Sequence, residues 1–161
     1  MMLNLKLILL LILIPSICLS DITGKVVKVS DGDTIWVLDP KKKVKVRLLG
    51  IDAPEIKQAF GEESKMILAR LIKKQNVIVV GDGKDLYGRL IGKVLLNDRD
   101  INLEMIKAGA AWHYKKYQAD QLDADRILYS HHEKLAQKNK RGLWKEGDPL
   151  APWQWRAKRQ H

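Results

Sequence analysis

The sequence predicts an α+β, mainly β fold: a five-stranded barrel of the OB type carrying three helices. Two observations predict it. Five short β-rich segments separated by turn residues lie between residues 23 and 96. A helical pattern falls between the third and the fourth, which is the element order of that partly open barrel.

Residues 23–29 are β-branched and roughly alternating, as a half-buried strand should be. Ser30-Asp31-Gly32-Asp33 reads as a tight turn, with Gly32 free to take positive φ and Asp31 as a turn cap. Thr34–Leu38 makes the second strand, ended by Asp39-Pro40, and Val44–Leu49 alternates again as the third. Pro54 cannot continue a ladder, so Ile51-Asp52-Ala53-Pro54-Glu55 leaves the sheet. The helix expected over 61–74 places Ile67, Leu68, Leu71 and Ile72 on one face. Residues 76–80 form the fourth strand, and the fifth runs from Tyr87 to Leu96.

Asp100 or Asn102 can cap a short second helix that stops at Gly109. A third helix, 119–139, aligns Ala124, Leu128 and Leu135 in one stripe. The tail from 145 to 161 carries Trp153, Trp155, Arg156, Lys158 and Arg159. Stacking and charge suit nucleic acid there; the alternative is that the tryptophans pack back on the body and the last residues fray.

The 161 residues fit one domain, and the net charge of +10 favours a polyanionic partner, nucleic acid or an anionic membrane. Residues 1–20 read as a secretory signal peptide. Leu7–Ile14 is uninterrupted Leu/Ile, too short to span a bilayer, with Pro15 and small residues after it. Cleavage is expected before Asp21, with the protein secreted or periplasmic and without a membrane anchor. A lipoprotein signal at Cys18 is opposed by the bulky Ile17; a retained signal anchor is the other alternative. Cys18 is the only cysteine, so residues 21–161 hold no disulfide, thiolate site or cysteine nucleophile. Loss of Lys6 with the leader takes the charge to +9.

Two groups of acids and bases can carry chemistry. Asp33, Arg47, Asp52 and Glu55 surround the first three strands, and Asp85-Leu86-Tyr87-Gly88-Arg89 opens the fifth. Two carboxylates at neighbouring strand ends, with a carbonyl freed by the proline-bent loop, suit a hard divalent cation, calcium or magnesium. No His or Cys lies near them, which disfavours zinc. Each acid alone reads as readily as a turn cap, and each arginine as an exposed strand charge; the cluster is harder to explain that way.

The runs Asp31-Gly32-Asp33-Thr34, Val46–Glu55 and Asp85–Arg89, in this order, resemble the staphylococcal-nuclease family closely, over residues 21–144. The resemblance implies an OB-fold nuclease domain and a Ca2+-dependent endonuclease cutting DNA and RNA with weak sequence preference, leaving 3′-phosphate ends. It implies Asp33, Asp52 and the Ala53 main-chain oxygen as calcium ligands. Glu55 would lie beside the attacking water, as general base or as its positioner, and Arg47 and Arg89 would grip the phosphoryl group. Leu86 stands where the family has a phosphate-binding lysine, for which Lys84 is the substitute candidate. Tyr87, Tyr114 and Tyr117 are the other substrate-binding candidates, the last two as nucleotide-stacking rings. His113, His131 and His132 match no catalytic role and read as surface or core residues. The expected state is a monomer whose partners are its DNA and RNA substrates. The competing class is a non-catalytic OB-fold nucleic-acid-binding module, which would be expected to have lost at least one of the five charged residues; all five are present.

Overall fold

A computed structural model describes residues 21–81, 83–145 and 147–159; the expected leader at 1–20 lies outside them. Five strands form the barrel: β1 (Ile22–Val29), β2 (Thr34–Leu38), β3 (Lys43–Leu48), β5 (Asn76–Val80) and β6 (Leu90–Leu96). Between β3 and β5 come the two-residue β4 (Ile51–Asp52) and helix α1 (Gly61–Ile72). β7 (Arg99–Asp100), α2 (Ile101–Lys107), β8 (Trp112–His113), α3 (Asp123–Lys138) and α4 (Pro152–Lys158) follow.

The strand order is β3-β2-β1-β5-β6, and β3 closes the barrel by pairing in parallel with β6. β1 serves both halves. Its residues 22–25 pair with β5 and residues 25–29 with β2, with an irregularity between Val26 and Lys28 that bends the strand. Alternation puts Val26, Ile35, Val37, Val46, Val79 and Val94 in a core with no exposed surface. Leu68 and Ile72 of α1 enter that core, with Ile67 and Leu71 packed against it, so the expected helical face is present.

Gly32 departs from the expectation. It does not take positive φ; what it needs is space. A Cβ there would lie 1.9 Å from Ser64 Oγ and 2.7 Å from Ala53 Cβ. The turn is wedged between α1 and residue 53, which fixes where Asp33 begins the second strand.

The fifth barrel strand starts at Leu90, not Tyr87, because the Asp85 carboxylate draws in the Tyr87 and Arg89 N–H groups and holds those residues in a turn. Asp100 is the cap of α2, its Oδ1 accepting from Leu103 N at 3.0 Å. Asn102 instead is buried, donating to the Leu49 and Gly92 carbonyls and accepting from Val94 N. Gly109, at φ 65°, ends that helix as expected.

The third long helix begins at Asp123, after a 3-10 segment over Lys115–Asp120. Its stripe is also different. Ala124 and Leu128 are exposed, while Tyr129, Glu133 and Ala136 are buried. Polar partners select that face: Tyr129 donates to Asp100 at 2.7 Å, and Glu133 accepts from His113 N at 2.9 Å and Lys115 at 2.5 Å. An apolar-stripe rule cannot see such a face.

A second, smaller core joins Trp112, Ala136, Leu143, Trp144 and Ala151. It seats the C-terminal segment. Trp153 meets Trp112 edge-on at 6.3 Å and stacks on Tyr114 at 5.5 Å, and Gln58 donates to the Leu150 carbonyl at 2.5 Å. Pro152, locked at a helical φ and without an N–H to lose, starts α4. No helix among the described residues is long and apolar enough to cross a membrane.

Candidate functional site

The parallel closure of β3 on β6 aligns Arg47 with Ile91, two residues beyond Arg89. Both arginines therefore reach one rim of the barrel. An open cavity of about 810 Å³ sits there. It is lined by Asp33, Arg47, Asp52, Ala53, Glu55 and Arg89, and also by Lys84, Tyr87, Tyr114 and Tyr117. All ten residues singled out in the sequence share this one space.

Asp33 and Asp52 are buried, and both reach the same atom, Arg47 Nη2, at 3.2 and 2.9 Å. Short links set their positions. Asp33 Oδ2 accepts from Ala53 N at 2.7 Å, and Oδ1 accepts from the Thr34 hydroxyl at 3.0 Å. Asp52 belongs to β4, whose pairing with β8 places it opposite Trp112. Arg47 is fixed from the other side as well, its Nη1 donating to the Leu48 and Ile51 carbonyls at 3.0 and 2.8 Å. One guanidinium thus ties the end of β3 to both acids.

Asp31 caps the turn as expected, accepting from Asp33 N at 3.1 Å. It also belongs to the acidic group: burial, then the neighbouring Asp33 charge, push its carboxyl up to about 7. Burial likewise raises Asp52, with the Asp33 charge adding, against a hydrogen bond from Arg156 and the charge of Arg47. Acids held this way gain from any added positive charge. Among the described residues no three His, Cys, Asp or Glu side chains group as a metal cluster. What the cavity presents to a cation is the paired Asp33 and Asp52 carboxylates, oxygen donors of the kind a hard ion takes.

The Glu55 side chain is 41% exposed in the cavity wall, and its Oε1 accepts from Arg156 Nη1 at 2.9 Å. Arg89 is held by a single acid: its Nε donates to Asp85 Oδ2 at 2.5 Å, and its guanidinium lies 5.5 Å from the Tyr87 ring centre. Tyr87, Leu86 and Lys84 are exposed around it. Tyr114 and Tyr117 meet edge-on at 5.1 Å and form an aromatic wall. His113 is buried, Nε2 to Gln121 Oε1 at 2.9 Å, and His131 and His132 lie on α3 away from the residues lining the cavity.

The residue that sequence reasoning placed elsewhere is Arg156. It projects from α4 into the cavity and binds Asp52 and Glu55 together. The signal for it was thin: Trp153 and Arg156 are three apart after a helix-starting proline, the spacing of one helix face.

The family profile described as "Staphylococcal nuclease homologue" matches residues 45–146. An "Uncharacterized endonuclease" of Escherichia coli O157:H7 is 42% identical over 146 residues, covering 90% of this chain and 91% of its own. One of Haemophilus influenzae is 44% identical over 135 residues, covering 83% and 72%. A "Micrococcal nuclease" of Shigella flexneri is 38% identical over 146 residues, covering 85% and 82%. With the barrel, the motifs and these matches in agreement, the chain belongs to the staphylococcal nuclease family of nucleases.

Proposed function

We propose that this nuclease is a calcium-dependent endonuclease that hydrolyses phosphodiester bonds of DNA and RNA with weak sequence preference and leaves 3′-phosphate ends. One observation carries the reading: Asp33, Asp52, Glu55, Arg47 and Arg89 line a single open cavity at the barrel rim. Paired buried carboxylates, an exposed carboxylate and two guanidinium groups can serve in-line attack on a phosphodiester.

Asp33, Asp52 and the Ala53 carbonyl would hold the cation, which would supply positive charge beside the phosphate. The rest is the work of the side chains. Glu55 accepts a hydrogen bond from the incoming water and takes its proton or fixes its line of approach. Arg47 and Arg89 donate to the equatorial oxygens, where charge accumulates as the bond to the leaving oxygen breaks. Tyr114 and Tyr117 offer faces to the flanking bases, and Lys84 offers a charge to an adjacent phosphate. Phosphate contacts and base stacking carry little base identity, so weak sequence preference is expected of this set.

Plasmid DNA incubated with purified residues 21–161 should be nicked and then degraded with millimolar-range calcium and left intact with a chelator. End-labelling of the products tests the 3′-phosphate. DNA bound but uncut at every calcium concentration would favour the binding-module reading instead. We also propose export, with residues 1–20 removed and the mature protein a secreted or periplasmic monomer. N-terminal sequencing of exported protein should read Asp21-Ile22-Thr23; an intact Met1 in the cytosol would overturn it.

A further inference from the structure

The C-terminal helix α4 puts a third arginine into the cavity. Arg156 Nη2 donates to Asp52 Oδ2 at 2.8 Å, and Nη1 donates to Asp52 Oδ1 at 3.2 Å and to Glu55 Oε1 at 2.9 Å. Both oxygens of Asp52 are therefore engaged by one planar fork, and the same fork occupies Glu55. The Asp52 side chain is 1% exposed and that of Arg156 39% exposed, so the arginine is the lid over a buried acid. Arg156 does not reach there by chance rotation of a loose tail. Three residues earlier, Trp153 stacks on Tyr114 at an interplanar angle of 15°, and Ala151 is part of the second core. Helix α4 is anchored at one end and delivers a guanidinium with the other.

We propose that Arg156 is a positioning residue of the active site that sets how tightly the site takes its divalent cation. It does so by holding Asp52 and Glu55 until the cation displaces it. The inference rests on the reading of Asp33 and Asp52 as the cation's ligands. A cation on Asp52 and a bidentate guanidinium on the same two oxygens exclude one another, both by space and by like charge. Without the cation, Arg156 supplies the positive charge that a buried carboxylate needs. Arg47 cannot give all of it, since its Nη2 is shared between Asp33 and Asp52. Displacement of Arg156 from Asp52 also frees Glu55 Oε1 for a water. The seating of the cation and the availability of Glu55 are thereby coupled through one side chain.

The test is calorimetric titration of calcium into the mature full chain without substrate. Arg156→Gln removes the competing charge and should bind calcium about tenfold tighter than wild type, a difference of about 1.4 kcal/mol. Arg156→Lys keeps one charge but not the fork, and should fall between the two. Lys158→Gln removes the same charge from the same helix at an exposed position and should leave the affinity unchanged. Equal or weaker affinity in Arg156→Gln would overturn the role of Arg156 while leaving the cation site standing. No calcium binding by wild type or any variant would instead remove the cation reading, and this inference with it.

Discussion

Arg47 on β3 and Arg89 in the turn before β6 face one cavity, yet they are held by different means. Arg47 donates to two backbone carbonyls and to Asp52, forms an ion pair with Asp33, and its side chain is 14% exposed. Arg89 has one carboxylate, Asp85, from its own turn, and is 24% exposed. The first is fixed by barrel closure and the second by five consecutive residues. The difference separates what a substitution does to the reaction from what it does to the fold.

The largest effect expected is on cleavage. Arg47→Lys and Arg89→Lys should each slow the saturated rate by about a hundredfold or more, because an ammonium cannot copy a fork that donates to two phosphoryl oxygens. Binding to uncut DNA without calcium should change far less, since the overall positive charge supplies most of it. The same pair then splits on stability. Arg47→Lys strands the Leu48 and Ile51 carbonyls and should cost about 1–3 kcal/mol in chemical denaturation, whereas Arg89→Lys should cost much less. Equal stability losses would dissolve the comparison.

A smaller effect tests the local turn. Asp85→Ala removes the acceptor for Tyr87 N, Arg89 N and Arg89 Nε together. Arg89 should then sample many orientations, with single-turnover cleavage down by about tenfold, in line with about 1.4 kcal/mol of lost orientation. Calcium affinity should stay put, since Asp85 makes no contact with Asp33 or Asp52. A change in calcium affinity would mean that the two halves of the site are less separate than their contacts imply.

The smallest effect concerns pH. Burial holds the His113 ring below its ordinary value. Unfolded, this ring takes a proton near pH 6.5; folded, it resists doing so. The unfolded state therefore binds more protons as pH falls below that value, and stability is lost in that window. His113 pairs with Ile51 across β4 and β8, next to Asp52. Denaturation midpoints at pH 7.5 and pH 5 should differ less in His113→Gln than in wild type. An unchanged difference would assign the acid sensitivity to other groups.

Both the barrel and the grouping of its charged residues were legible in the sequence. Asp33, Arg47, Asp52, Glu55 and Arg89 lie at strand ends that alternation and turn chemistry locate, and the described structure collects them. The strand expected from Tyr87 began instead at Leu90, since one aspartate's claim on nearby N–H groups outweighs β propensity over a few residues. The α3 stripe failed because its buried face is built on Tyr129 and Glu133, which find partners on distant elements. The pairing of β4 with β8 escaped notice for its length, two residues each.

The sequence by itself determined the barrel strands, the helix between β3 and β5, the basic balance and the two acid–arginine groups. These depend on periodicity, turn residues and charge, which are properties of neighbouring positions. Only the tertiary structure decided that Gly32 is wedged by Ser64 and Ala53, and that Asp33 and Asp52 share one arginine nitrogen. It alone brought Arg156 onto Asp52, more than a hundred residues away in the chain. Contacts at that separation are set by how a second core of tryptophans docks on the first. Their geometry is a sum of packing choices that no local pattern records.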